Sequence, residues 1–417
     1  MPPAGIFYES RKSPPMTPPW LHIIGIGEEG MAGLTPASRA VLEAAEVVIG
    51  GDRHHSLAPD LTAERIAWPS PFDALIDQLR ALRGRRVVVL ATGDPLWYSV
   101  GARIARAMDP AEITFHPQVS AFQHAAARMG WSMADSAQLT VHGRAVEQVI
   151  PFIAPNARLL ILTTGSETPA QVADILVDRG YGASKVTVLA AMGGAHEARF
   201  DGTAEAWAHE VPAFNTMAVA CIPTAGAAIL PLTGLPDDCF VSDGTMTKQE
   251  VRAATMAKLM PMRGALLWDV GCGCGSVAVE WMRGARDALA IGVEPRADRR
   301  DLAARNAIVL GAPKLELRAG KVPEALADLP APDAVFIGGG LSRETVEASL
   351  GALKPFGRLV ANAVTIESES LLVQMQKTYG GELVKIAVSR AGQLGGASGP
   401  SGWRPSMAVT QWSLIKR

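Results

Sequence analysis

The chain has 417 residues, 48% of them hydrophobic, and 39 basic against 41 acidic side chains give a formal net charge of −2. That length supports two or three domains with cores of their own, and the near-neutral balance lacks the basic excess expected of a nucleic-acid binder. No window offers the roughly 20 uninterrupted apolar residues of a membrane span, and the 4 cysteines are too few for a disulfide framework.

Residues 1–19 read as a flexible Pro-rich tail without the apolar segment of a signal peptide, so a cytoplasmic protein is expected. In residues 20–233 a strand at Leu21–Ile24 leads into Gly25–Gly30, Val87–Leu90 into Ala91–Leu96, and Arg158–Leu162 into Thr163–Ser166. A polar bend at 130–135 divides this part into two α/β lobes. The stretch Leu232–Thr245, rich in Gly, Pro, Asp and Ser, marks the passage to a second domain at 234–417. There Thr247–Glu250 has the pattern of a capping box opening a helix to about Leu259. Strands at 265–268, 289–293, 315–319, 333–337 and 358–362 then alternate with helices at 276–283, 296–310, 323–329, 342–353 and 366–379. This alternation predicts a mostly parallel sheet. Two closing strands near 383–388 and 407–415 have no helix between them, which predicts an antiparallel hairpin at one edge.

The segment Trp268–Arg283 carries the clearest chemistry. An acid at a strand end, Asp269, is followed by Gly271, Gly273 and Gly275, and a second apolar strand ends on Glu294. Glycines let backbone approach a ligand, and an acid after the second strand can accept ribose hydroxyls. A pyrophosphate would be repelled by Asp269, whereas a cationic sulfonium would not. Cys272 and Cys274 have no third and fourth ligand nearby, so no metal is expected. All 8 histidines lie between His22 and His209, leaving the second domain without an imidazole. Gly25–Gly30, with Asp52 roughly 20 residues on, matches the dinucleotide fingerprint and sets a rival reading, a nicotinamide oxidoreductase. Glu28 and Glu29 sit where a pyrophosphate would need positive potential.

On these motifs the second domain resembles the seven-stranded S-adenosylmethionine-dependent methyltransferases. Gly25–Gly27, Ala91–Gly101, Val119–Gly130, Leu162–Ser166 and Ala191–Arg199 together resemble the tetrapyrrole methylases. The chain is thus expected to be α/β throughout: a bilobal tetrapyrrole-methylase fold followed by a Rossmann-like, seven-stranded methyltransferase domain. Fused in this order, the two resemble the decarboxylating precorrin methyltransferase family of cobalamin (vitamin B12) biosynthesis, a resemblance that runs from about Leu21 onward and includes the junction Gly234–Phe240.

The resemblance implies two S-adenosylmethionine sites, one per domain. Gly93, Asp94, Pro95, Ser120 and Ala121 would line the first. Thr247, Asp269, Gly271, Cys272, Gly273, Cys274, Gly275, Glu294, Gly320, Lys321 and Val322 would line the second. Related enzymes often carry an acid where Lys321 stands, so adenine would be held here by backbone at Val322. The implied substrate is a reduced tetrapyrrole, methylated at C5 by the first domain and at C15 by the second, with loss of CO2 from the ring C acetate. Its carboxylates call for arginines, with Arg252, Arg343, Arg390 and Arg404 as candidates in the second domain and Arg53 and Arg103 in the first. Tyr98, His54 and His55 are weighed as proton-handling groups in the first domain against packed or surface roles, and no general base is assigned. The segment Gly392–Gly402 with Trp403 is weighed as a lid against a loop. A homo-oligomer is expected, with neither nucleic-acid nor membrane partners. The nearest rival is a bifunctional methyltransferase acting on RNA or another small molecule.

Overall fold

The apolar runs Leu21–Ile26 (β1), Val47–Gly50 (β2) and Val87–Thr92 (β4) are buried almost throughout, as strands covered on both faces must be. With Glu64–Ala67 (β3) and Ile113–His116 (β5) they form a parallel sheet of order β3-β2-β4-β1-β5. The computed structural model describes residues 19–393 and 399–417. These divide into two compact units: residues up to 142 with 156–174 and 182–222, and residues 143–155, 175–181 and 223–417. All but Pro19 of the expected tail lies outside the described residues.

A second sheet of the first unit contains Ala137–Thr140 (β6), Arg158–Leu162 (β7), Lys185–Ala190 (β8), Ala198–Thr203 (β9) and Asn215–Ala220 (β10). Its order is β6-β7-β10-β8-β9, and β10 runs antiparallel to both neighbours. The two sheets are the two lobes expected from sequence, and the helix Ala121–Met129 ends at a left-handed Gly130, φ 64°, where the polar bend begins.

In the second unit, Leu266–Val270 (β11), Leu289–Val293 (β12), Glu316–Arg318 (β13), Ala334–Ile337 (β14) and Arg358–Ala363 (β15) are parallel. Glu382–Ile386 (β16) and Val409–Ile415 (β19) complete a seven-stranded sheet of order β13-β12-β11-β14-β15-β19-β16. β19 is antiparallel to both β15 and β16, which realises the expected edge hairpin. Between β16 and β19, Ser389–Gln393 (β17) pairs with Ser401–Pro405 (β18). The ends of the segment considered as a lid are therefore a small hairpin, and residues 394–398 lie outside the described residues. Trp268, Trp281 and Trp412 are fully buried, each indole N–H donating to a carbonyl: those of Pro330, Leu289 and Gly380. The expected helix at 323–329 is a single 3-10 turn, Glu324–Leu326.

Strand β11 lies between β12 and β14 at the point where strand order reverses, which is where open α/β sheets leave a crevice. Two glycine loops meet there. A Cβ on Gly271, whose φ is +69°, would fall 2.5 Å from Gly339 Cα, so the two backbones touch directly. In the first unit a Cβ on Gly25 would fall 2.1 Å from the Gly93 carbonyl oxygen.

One buried ion pair anchors the segment that precedes β11. Glu280 and Arg252 are both fully buried, with Arg252 Nε donating to Glu280 Oε1 at 2.6 Å. Glu280 also accepts the N–H groups of Gly234 and Leu235 at 2.8 Å. Arg252 donates further to the carbonyls of Leu235 and Thr247 and to Asp237 Oδ1. This network corrects the expected helix start. Thr247 and Glu250 form no capping box; Asp237 Oδ1 accepts the Gln249 N–H at 2.9 Å, and Glu250 is drawn off by Arg390 at 2.6 Å. Truncating one member leaves the other buried and unpaired. Arg252→Met is expected to destabilise the second unit by about 3–5 kcal/mol, read as a lowered denaturation midpoint of the full chain by circular dichroism.

Candidate functional sites

The first unit holds a cavity of about 780 Å³ whose walls come from both of its lobes. Gly93, Asp94, Ser120 and Ala121 line it; Pro95 does not. The turn after β4 explains that arrangement. Gly93 takes φ +59°, Asp94 Oδ1 accepts the Leu96 N–H at 2.8 Å, and the Pro95 carbonyl packs where a side chain on Gly101 would sit. Ser120 caps the helix Ala121–Met129, exchanging bonds with Gln123 in a capping box, so its own polar atoms are largely committed.

Ala191, Thr163 and Asn215 from the second lobe face the same cavity. Thr163 Oγ1 donates within the buried pair it makes with Asn215, at 2.9 Å. Tyr98 lines the cavity too, but its hydroxyl donates to the Gln138 carbonyl at 3.2 Å. His54 Nδ1 accepts the Gly51 N–H and its Nε2 bonds Thr92 Oγ1. Burial first, then the charge of Arg53, pushes His54 down to about 4, so at physiological pH it is the neutral imidazole, with Nδ1 occupied as an acceptor and its one N–H, on Nε2, directed to Thr92 Oγ1. His55 bonds the Ile66 carbonyl.

The dinucleotide reading fails on local geometry. The loop Gly25–Gly30 runs into a 3-10 turn, Gly30–Gly33, and the helix begins only at Pro36. Glu28 pairs with Arg53, and the space beside Gly27 is filled by the Glu29 carboxylate. Those glycines admit the chain's own atoms rather than a pyrophosphate.

The second unit holds a cavity of about 760 Å³ at the carboxyl ends of β11, β12 and β14. Thr247, Asp269, Gly271, Cys272, Gly273, Cys274, Glu294, Gly320, Lys321 and Val322 all line it; Gly275 does not, because it packs against Ala303 as the left-handed cap of the helix Ser276–Gly284. Glu294, 3% exposed, accepts the Gly273 N–H at 3.1 Å through one oxygen and the Arg296 N–H at 3.1 Å through the other. That clasp fixes the loop and leaves each oxygen a further lone pair. Val322 packs where a side chain on Gly340 would sit.

Asp269 is 1% exposed, and its Oδ2 accepts the Ala278 N–H at 2.9 Å. Its Oδ1 is buried without a hydrogen-bond partner. Burial, reinforced by repulsion from Glu294, pushes this carboxyl up to about 7 against the opposing effect of the Ala278 bond. An acceptor left unfilled on a cavity wall suits a cationic ligand atom. Burial likewise raises the thiols of Cys272 and Cys274, so both stay protonated.

The arginines fall elsewhere. Arg252 is consumed by the buried network around Glu280 and faces no cavity. Arg343 sits at the exposed start of a helix, bonding Gln374, and Arg404 donates to the Gln393 carbonyl within the β17–β18 hairpin. Arg390 pairs with Glu250 and Asp237. In the first unit, Arg103 lines the cavity but pairs with Asp73 at 2.7 Å, and Arg53 lies over the Phe214 ring. Sequence reasoning missed Lys248, Arg299, Asn362, Val364 and Met407, which line the second cavity. The glycine run 338–340, which directly follows β14 and lines the same cavity, is the signal in the sequence that could have pointed to that wall.

Two family models match successive parts of the chain. Residues 20–208 match the family model described as Tetrapyrrole (Corrin/Porphyrin) Methylases, and 238–416 match that described as Precorrin methyltransferase domain. A cobalt-precorrin-7 C(5)-methyltransferase of Salmonella typhimurium is 32% identical over 39% of this chain and 80% of its own length. A probable cobalt-precorrin-6B C(15)-methyltransferase (decarboxylating) of Pyrobaculum calidifontis is 35% identical over 43% of this chain and 96% of its own. A Sinorhizobium protein is 44% identical across 98% of this chain and 99% of its own length. On that full-length match, the chain belongs to the family of precorrin-6Y C(5,15)-methyltransferases (decarboxylating).

Proposed function

We propose that this enzyme transfers two methyl groups to a precorrin-6 type tetrapyrrole, at C5 and C15, and releases the ring C acetate carboxyl as CO2, in cobalamin biosynthesis. The observation that carries the reading is the similarity, across both units, to a single decarboxylating methyltransferase. Two shorter relatives, one named for C(5) and the other for C(15) with decarboxylation, support a division of labour. Residues 20–233 then methylate C5, and residues 234–417 methylate C15 and decarboxylate. The enzyme works in the cytoplasm as a homo-oligomer without nucleic acid; among the described residues no helix is long and apolar enough to cross a membrane.

Each unit binds one S-adenosylmethionine. Gly93, Asp94, Ser120 and Ala121 hold it in the first, largely through backbone. In the second, Asp269 Oδ1 receives its positive end, Glu294 the ribose, and the backbone of Gly320–Val322, without the Lys321 side chain, the adenine, with Gly271, Gly273 and Thr247 shaping the wall. Bound there, S-adenosylmethionine supplies an electrophilic methyl group to an electron-rich carbon. The protein's contribution is alignment, since a positioned pair of reactants needs little acid–base assistance. The neutral His54 and the committed Tyr98 hydroxyl fit a first site that positions rather than protonates. In the second site, the conjugated imines of the substrate accept the electron pair released when CO2 departs.

Incubation of the purified protein with the dihydro-precorrin-6 substrate and S-adenosylmethionine is expected to yield a product heavier by two methyl groups and lighter by one CO2, read by mass spectrometry. A gain of one methyl without CO2 loss would show the second unit inactive, and no change in intact substrate would refute the assignment.

Asp269 ties cofactor binding to stability. A carboxyl raised on folding binds its proton more tightly folded than unfolded, so its contribution to stability falls as pH rises from the ordinary carboxyl range through about 7. Asp269→Asn is therefore expected to raise the melting temperature of the cofactor-free protein at pH 8 and to change it little near pH 4. At pH 8 it is expected to weaken S-adenosylmethionine binding to the second unit by roughly tenfold to a hundredfold, measured by titration calorimetry.

A further inference from the structure

We infer that Lys248 and Lys321 are the carboxylate-recognising groups of the second cavity, the role that sequence reasoning gave to arginines. The inference rests on the function proposed above and names the residues that select its polyanionic substrate.

Four basic side chains line this cavity: Lys248, Arg296, Arg299 and Lys321. The two arginines are already neutralised, Arg299 by Asp243 at 2.8 Å and Arg296 by Asp298 at 3.1 Å through Nε. Neither lysine side chain has an ion pair or hydrogen bond among the described residues, whereas Lys354 and Lys385 elsewhere in the unit are paired at 2.9 and 3.0 Å. Both ammonium groups are carried on fixed backbone. The Lys248 carbonyl accepts the Arg252 N–H at 2.7 Å, and the neighbouring Thr247 carbonyl is held by the Arg252 guanidinium at 2.6 Å. The Lys321 carbonyl accepts the Ala325 N–H at 3.0 Å.

The rest of the lining fits the same ligand. Val364 and Met407 face the cavity yet are 54% and 76% exposed, which offers apolar surface to a macrocycle. Of the acids that line the cavity, Asp269 and Glu294 are buried and the exposed Glu250 is neutralised by Arg390 at 2.6 Å, while the unpaired cations are exposed. A cationic cofactor is thereby drawn to the floor, while the acidic side chains of a tetrapyrrole are drawn to the rim. An ammonium is a point charge without a required plane, so two lysines can hold flexible acetate and propionate arms that a rigid guanidinium fork would constrain.

The full-length protein provides its own control, because the first unit's methylation does not use this cavity. With the same precorrin substrate, Lys248→Gln and Lys321→Gln are each expected to raise KM for the second methylation and CO2 loss by roughly threefold to tenfold. The double variant should raise it further, with kcat nearly unchanged and the first methylation and S-adenosylhomocysteine affinity unaffected. Lys248→Arg and Lys321→Arg, which keep the charge but not the unconstrained geometry, should each raise KM less than the corresponding Gln variant. An unchanged KM in the double variant, beside normal turnover by the unaltered protein, overturns the lysine assignment alone. So does a KM rise matched by an equal loss of S-adenosylhomocysteine affinity, which would place Lys321 at the cofactor. Failure of the unaltered protein to methylate intact substrate overturns the functional reading and this inference with it.

Discussion

Backbone meets backbone at the strand ends of both units, and much of the site geometry follows from that contact. Gly271 against Gly339, and Gly25 against Gly93, each join loops from neighbouring parallel strands at a separation no side chain could enter. Parallel strands deliver their carboxyl ends to one edge of a sheet, so the loops that follow them must crowd together. Removing the side chains there turns crowding into a smooth floor of amides and carbonyls. Such a floor is rigid, because its groups are fixed by the sheet behind it, and its polarity does not depend on rotamers.

Above that floor the second unit separates two electrostatic tasks by burial. Asp269 and Glu294 are nearly inaccessible, where a carboxylate interacts strongly but is costly to keep ionised. Water is available to the lysines at the rim, so their charge costs little while the site is empty. The buried Arg252–Glu280 pair contributes indirectly, by holding the segment from Gly234 to Thr247 that forms one side of the cavity. A charged pair in this position specifies one placement of the segment, since an apolar contact could slide and a hydrogen-bonded fork cannot.

What the sequence disclosed, it disclosed through periodicity and glycine spacing. The alternation of apolar strands with amphipathic helices gave the five parallel strands of the second unit within a residue or two, and the G-x-G-x-G loop led to the acids that face its cavity. What it concealed depends on contacts between distant residues. Arg252 has the same local signature as a surface arginine on a helix; its burial is decided by Glu280, 28 positions away. The helix start was misread because Asp237, 12 residues upstream, supplies the cap that Thr247 was expected to provide. The β17–β18 hairpin reads as loop, since Gly and Ser carry no strand pattern of their own. Gly25–Gly30 shows the converse: a motif complete in spacing whose glycines are closed in by the chain's own atoms, the Gly93 carbonyl, the Glu29 carboxylate and the Leu57 carbonyl, although Gly27 borders the first cavity.

Strand order also dictates when each sheet can be completed. β19 lies between β15 and β16, and β10 lies between β7 and β8, although each follows both of its neighbours in the chain. During synthesis, β16 and β8 therefore emerge from the ribosome with one edge open and their eventual partner still unmade. Each waits for a strand that must insert between two others rather than add to an outer edge. Long-range closures of this kind are slow and leave unpaired edges exposed meanwhile. The nascent protein thus passes through two intervals in which a nearly finished sheet lacks an interior strand, and shielding by a chaperone would matter most then.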